Sequence, residues 1–235
     1  MTSVLNLNTK AIHLMREGLY TEAITLHHQA LKELRSSVER DQHAEGPKNC
    51  TSEGKQQTFI PMQTICLSGY LSLFKSSFYQ DHHAFSLFSQ ALTIDPVDLE
   101  AVPSVEGQNC LSVVILYNMG LAHQLQGMRD LNKQKKRFKS AMSLYKMAAS
   151  MLTKGSSDTG EQVNGLLSLA VSNNMGHLYS HFCEEQEVQD CLQWICVILE
   201  LDQLNYQDLV GDDFNLFHMN VFLLHRQDAV AAAAA

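Results

Sequence analysis

His177 and His181 stand four residues apart, the spacing that puts two imidazoles on one helix face, and Cys183, Cys191 and Cys196 follow closely. Such a set could hold zinc if an antiparallel neighbour brought a thiolate across. The pattern stops short of that. Leu178 occupies the place where HExxH needs its glutamate, and no Cys-x-x-Cys pair occurs. Packing histidines and buried thiols are the simpler reading, so no metal and no other cofactor is expected. A metal-binding protein or enzyme built on residues 177–196 is the alternative. Other chemistry is sparser still, with no GxSxG, P-loop or GxGxxG motif. The acidic pairs Glu184-Glu185 and Asp212-Asp213 read as charges complementing helix starts. No catalytic residue is assigned, and the chain is not expected to be an enzyme.

The cationic cluster is Lys133, Lys135, Lys136, Arg137 and Lys139. It has the charge to meet phosphate or to act as a nuclear signal, but no aromatic platform accompanies it. Across the 235 residues, 25 acidic side chains stand against 17 basic, for a net charge of −8. A solvated turn is the simpler account, and no nucleic-acid partner is expected. The N-terminus lacks the features of a signal peptide, and no run approaches the ~18 apolar residues of a membrane span. No membrane association is expected, and the six cysteines are read as reduced thiols of a cytoplasmic or nuclear protein.

The elements that position these residues read mostly as helices. Leu7, Ala11 and Leu14 recur at helical spacing, Gly18 interrupts, and Ala23, Ile24, His27, Ala30 and Leu31 resume it. Residues 37–57 are polar and periodless, which predicts a loop. Residues 58–66 read as extended, since Pro61 discourages a helix through this point, with strand or helix left open. Ala84, Phe88, Ala91 and Leu92 share a face if helical, and Asp95-Pro96 reads as that helix's end. A loop over 97–108 follows, then helices over about 111–125 and 138–152, a linker at 154–165, and helices at about 166–182 and 187–201. Phe214, Phe217, Val221 and Leu224 form a helical stripe, although this composition also suits a strand. One helical domain over 1–226 is expected, with an alanine-rich tail at 227–235.

The strings LYNMGLAHQ and NNMGHLYSH echo each other, each carrying Asn-Met-Gly. Leu116, Met119, Gly120 and His123, with Ala141, Tyr145 and Ala148, follow the W-x2-L-G-x2-Y and A-x3-F pattern of helical hairpin repeats. Leu7, Lys10, Ala11 and Leu14, then Ala23, His27 and Ala30, give an earlier and looser copy. Met175, Gly176 and Tyr179, then Val188 and Leu192, give a decayed later one. Ala84, Phe88, Ala91 and Pro96 match a second helix without a legible first, since Ser68, Leu71, Ser72 and Lys75 are weak occupants. In order, these strings resemble the tetratricopeptide repeat family, with about nine residues more than its usual turn between the helices of the clearest copy. A helical bundle with accidental Asn-Met-Gly strings is the bland alternative.

The resemblance implies an all-α, antiparallel helix-hairpin stack (a tetratricopeptide-like α-solenoid) with long loops, in which Gly120 and Gly176 allow close helix approach. It also implies a non-catalytic interaction scaffold that binds a protein or peptide segment in the concave groove. By position, the groove residues are Asn8, Ile12 and Arg16; Tyr117, Leu121 and Leu125; and Asn173, His177 and His181. Asn118 and Asn174 are placed to bond the backbone of a bound segment, or else to tie neighbouring helices together. Chaperone-binding members use lysine at place five and asparagine at place nine. Here Asn8 and Ile12, then Tyr117 and Leu121, stand there, so that carboxylate clamp is not expected.

Overall fold

The computed structural model describes residues 1–44, 60–67, 85–100, 104–154, 165–202 and 216–222. They are mostly helical: α1 (Thr2–Arg16), α2 (Tyr20–Ala44), α3 (Pro96–Glu100), α4 (Ser104–Arg129), α5 (Gln134–Lys154), α6 (Gly165–Phe182) and α7 (Glu185–Asp202). Residues 216–222 form one further short helix. Two strands, β1 (Met62–Cys66) and β2 (Gln90–Ile94), pair antiparallel with Met62 opposite Ile94 and Cys66 opposite Gln90.

The described residues fall into two compact units. The first holds those up to 67 and from 90 to 154, and the second holds 85–89 with everything from 165 onward. In the first, α1 packs on α2, α4 packs on α5, and α2 also meets α4. In the second, α6 packs on α7. The sequential pairs α1–α2, α4–α5 and α6–α7 are each joined by a short turn, which makes their helices antiparallel.

Periodicity explains the pairs. In α1 the buried stripe is Val4, Leu5, Asn8, Ala11, Ile12 and Met15, and in α2 it is Tyr20, Ala23, Ile24, His27, Ala30 and Leu34. Gly18 adopts φ 75 between them, a backbone region that a side chain disfavours. Its carbonyl accepts a hydrogen bond from Arg129 at 3.1 Å, which ties this turn to the end of α4. Nearly every residue of α4 from Leu111 to Leu125 is buried, so its sequence is apolar on all sides and lacks a polar face. The turn between α6 and α7 places Cys183 at φ 59, where glycine or asparagine is usual.

Several expectations are corrected. Residues 85–94 are not helical. Gln90–Ile94 is a strand and 85–89 lies outside any helix, while Ala84 and the weak helix positions Ser68, Leu71, Ser72 and Lys75 lie outside the described residues. Asp95-Pro96 opens a helix instead of closing one. The Asp95 carboxylate accepts the Val97 N–H at 2.9 Å as an N-cap, and Pro96 takes the first helical position. The loop expected at 97–108 is largely α3 and the first turn of α4. The loop expected from residue 37 begins no earlier than 45, because α2 runs to Ala44. The extra residues expected in the turn of the clearest hairpin extend its helices, leaving a turn of 130–133. Residues 62–66 are a strand and 216–222 are helical, while 58, 59, 214, 215, 223 and 224 lie outside the described residues. The bulk of the 154–165 linker, Asp212-Asp213 and the 227–235 tail lie outside the described residues.

Candidate functional site

The asparagines of the echoed Asn-Met-Gly strings do the same thing in each unit. In the first, Asn118 of α4 accepts the Leu92 N–H at 2.9 Å and donates to the Leu92 carbonyl at 2.7 Å. Its second amide hydrogen goes to the Asn8 side-chain oxygen on α1 at 3.0 Å. Asn118 therefore holds a backbone and ties two helices at once. Beside it, the Tyr117 hydroxyl donates to the Gln90 carbonyl at 2.8 Å. Leu92 and Gln90 thus turn their main-chain groups toward α4, and the alternate residues Ala91 and Thr93 face β1 in the ladder.

In the second unit, Asn174 of α6 accepts the Phe88 N–H and donates to the Phe88 carbonyl, each at 3.0 Å. Two residues earlier, Asn220 accepts the Ser86 N–H at 3.0 Å and donates back to the Ser86 carbonyl at 3.3 Å. Asn173 donates to the same carbonyl at 2.9 Å. The three asparagines are themselves linked: Asn220 donates to Asn173 at 2.6 Å, and Asn173 donates to Asn174 at 3.3 Å. All three are buried. A primary amide presents one donor and one acceptor side by side, matching the N–H and C=O of one extended residue. Held groups at alternate residues are what an extended chain offers on one edge.

Small residues make room for this. A Cβ on Gly176 would lie 2.6 Å from the Phe85 ring, and one on Gly120 would lie 2.7 Å from the Tyr145 ring. Gly120 thus admits the aromatic of its own hairpin partner, as expected. Gly176 admits the extended segment instead, which is a correction to its expected helix-to-helix role. Phe88 packs against Phe217 with ring centroids 5.0 Å apart.

Of the positions assigned to a groove, Asn8, Ile12, Tyr117, Asn118, Leu121, Leu125, Asn173, Asn174 and His177 are buried, His181 is half-buried, and Arg16 is exposed. The two groups of asparagines meet residues 85–94 of this same chain. Asn220, and Gly127, where an added Cβ would lie 2.8 Å from the Phe138 ring, were not singled out by their sequence context. Only their small or amide side chains within apolar stretches could have marked them.

His27 fills the aromatic place of its hairpin, fully buried, with neither ring nitrogen hydrogen-bonded among the described residues. Burial, with a smaller contribution from His28, pushes its pKa down to about 3. His123 is pushed down to about 4 by burial, then by Arg137 and His28. The Arg137 guanidinium lies 3.3 Å from its Nδ1. The rest of the basic run is dispersed: Lys133 pairs with Asp130 at 3.0 Å, and Lys135, Lys136 and Lys139 are exposed on the first turns of α5. Lys139 borders an open groove of about 620 Å³ along α5, lined also by Met142, Met147 and Met151.

Among the described residues, no three His, Cys, Asp or Glu side chains gather closely enough to hold a metal ion. The Cys110 thiol is pushed up to about 12 by burial, which keeps it protonated and a poor nucleophile. Cys196 is also raised, by burial and then by Glu200. No described helix is long and apolar enough to cross a membrane. No protein-family model matches the chain, and no curated protein or solved structure similar to it is found.

Proposed function

We propose that this chain is a non-catalytic interaction scaffold whose paired helices hold an extended protein or peptide segment by its main chain, in a cytoplasmic or nuclear setting. The observation that supports this reading is the repeated amide clamp. Asn118 on α4 and Asn174 on α6 each engage both backbone groups of one residue in an extended stretch. Such contacts bind a backbone of any sequence, and the flanking apolar sockets add selectivity. The resemblance to tetratricopeptide repeats points the same way.

Tyr117 and Leu121 are fully buried, so replacing them would test folding more than binding. A cleaner test leaves the chain unaltered. Peptides selected from a random display library are titrated into the 15N-labelled protein, and the side-chain amide signals of Asn173, Asn174 and Asn220 are followed. Selected peptides are expected to move these signals. Peptides that bind yet perturb only other surfaces, or a library that enriches nothing, would rule out the reading.

A further inference from the structure

Among the described residues, strand pairing begins at Gln90, and Phe85–Ser89 sits in the asparagine site of the second unit outside that ladder. Its main chain is held at alternate residues, Ser86 by Asn220 and Asn173, and Phe88 by Asn174. The side chains enter two sockets: Phe85 over Gly176, and Phe88 against Phe217. The polar part of this site has no sequence preference, because every non-proline residue offers the same N–H and C=O pair. Selectivity therefore comes from the buried side chains, Phe85 and Phe88 in the two sockets and Leu87 between them.

We infer that Phe85–Ser89 is an exchangeable occupant of this site, one that an extended partner segment replaces. The partner carries large aromatic or aliphatic side chains at positions i and i+3 and an apolar one at i+2. It has no proline at i+1 or i+3, where an N–H must be donated. This rests on the proposed reading of the asparagine-bearing helices as a peptide site. The adjoining Gln90–Ile94 is fixed to β1, so a displaced stretch stays tethered and competes at an effective concentration on the order of millimolar. A partner's apparent affinity is then its intrinsic affinity reduced by the fraction of chains whose stretch has left. The device sets a threshold: weak or unmatched segments are refused without any change in the site itself.

The test uses the full chain and a fluorescent synthetic peptide with the sequence of residues 85–90, FSLFSQ. In the wild-type protein, the Ser86 and Phe88 amides are expected to exchange with solvent at least about tenfold faster than the Leu178 amide within α6. In Phe88→Ala, whose own stretch has lost its main anchor, the peptide is expected to bind at least about tenfold tighter than to wild type. Adding Asn174→Leu is expected to remove that gain. Exchange of Ser86 and Phe88 only at the Leu178 rate would overturn the inference, since the stretch would leave only when α6 unfolds. Equal peptide affinity for wild type and Phe88→Ala would also overturn it, while leaving the peptide-site reading intact. Rapid exchange with no peptide bound by either protein would overturn both. If Phe88→Ala does not fold, the wild-type exchange rates decide.

Discussion

Asn118 concentrates more consequence than any other side chain described. It satisfies the N–H and C=O of Leu92, which is fully buried, and it also bonds Asn8. Removing its amide leaves those groups without water or partner. Asn118→Ala is therefore expected to cost roughly 2–5 kcal/mol, the combined penalty for two or three stranded buried groups. Urea denaturation measures this directly, and a loss below about 1 kcal/mol would mean the backbone finds other partners. The role was partly legible in the sequence. An asparagine on an otherwise apolar helix must bond something, and its repetition in two similar strings marked it as purposeful. That it would bond a backbone or tie helices was among the readings, but which backbone was not legible, because a backbone has no sequence signature. Asn220 escaped for a related reason, since it sits in a short stretch whose apolar residues suited either helix or strand.

Between elements, the packing of α4 on α5 depends on absent side chains. The Tyr145 ring occupies the space above Gly120, and its hydroxyl donates to buried Gln124 at 2.8 Å. Gly120→Ala would place a methyl 2.7 Å from that ring and is expected to destabilise by about 1–3 kcal/mol. Most of that loss should vanish when Tyr145→Leu is added, and a double-mutant cycle by thermal denaturation reads the coupling. Additive effects would show that the two residues do not share this space. The helix pairs could be read from sequence because one-sided apolar spacing leaves few alternatives. The extended segment could not. Phe85, Leu87, Phe88, Ala91, Leu92 and Ile94 are all buried, so both faces of the strand are apolar and no alternation survives. Their spacing imitates a helix, and Asp95-Pro96 imitates its end. The proline in truth begins α3, a distinction that depends on the Asp95 cap.

For the molecule as a whole, acidity is the lever these residues set. His27 is neutral when folded, with its pKa pushed down to about 3 from an ordinary 6.5. Below pH 6.5 the unfolded chain takes up a proton that the folded chain refuses, so stability falls as pH falls. The slope is roughly 1.4 kcal/mol per pH unit until the folded pKa is reached. His123 adds in the same direction, and both lie in the unit formed by α1, α2, α4 and α5. The melting temperature is expected to drop between pH 7 and 5, and His27→Phe is expected to flatten that dependence. An unchanged slope in the variant would remove His27 from the account. The asparagine clamps bear on a different kind of change, namely how the gene can vary. Because they engage every second residue, Phe85–Phe88 behaves like a message with a reading frame of two. Substitution at the half-exposed Ser89 leaves the frame intact, whereas deleting Leu87 would carry a neighbour's backbone out of phase with Asn174. Descendants of this chain should therefore tolerate altered letters in the segment far more readily than a single missing one.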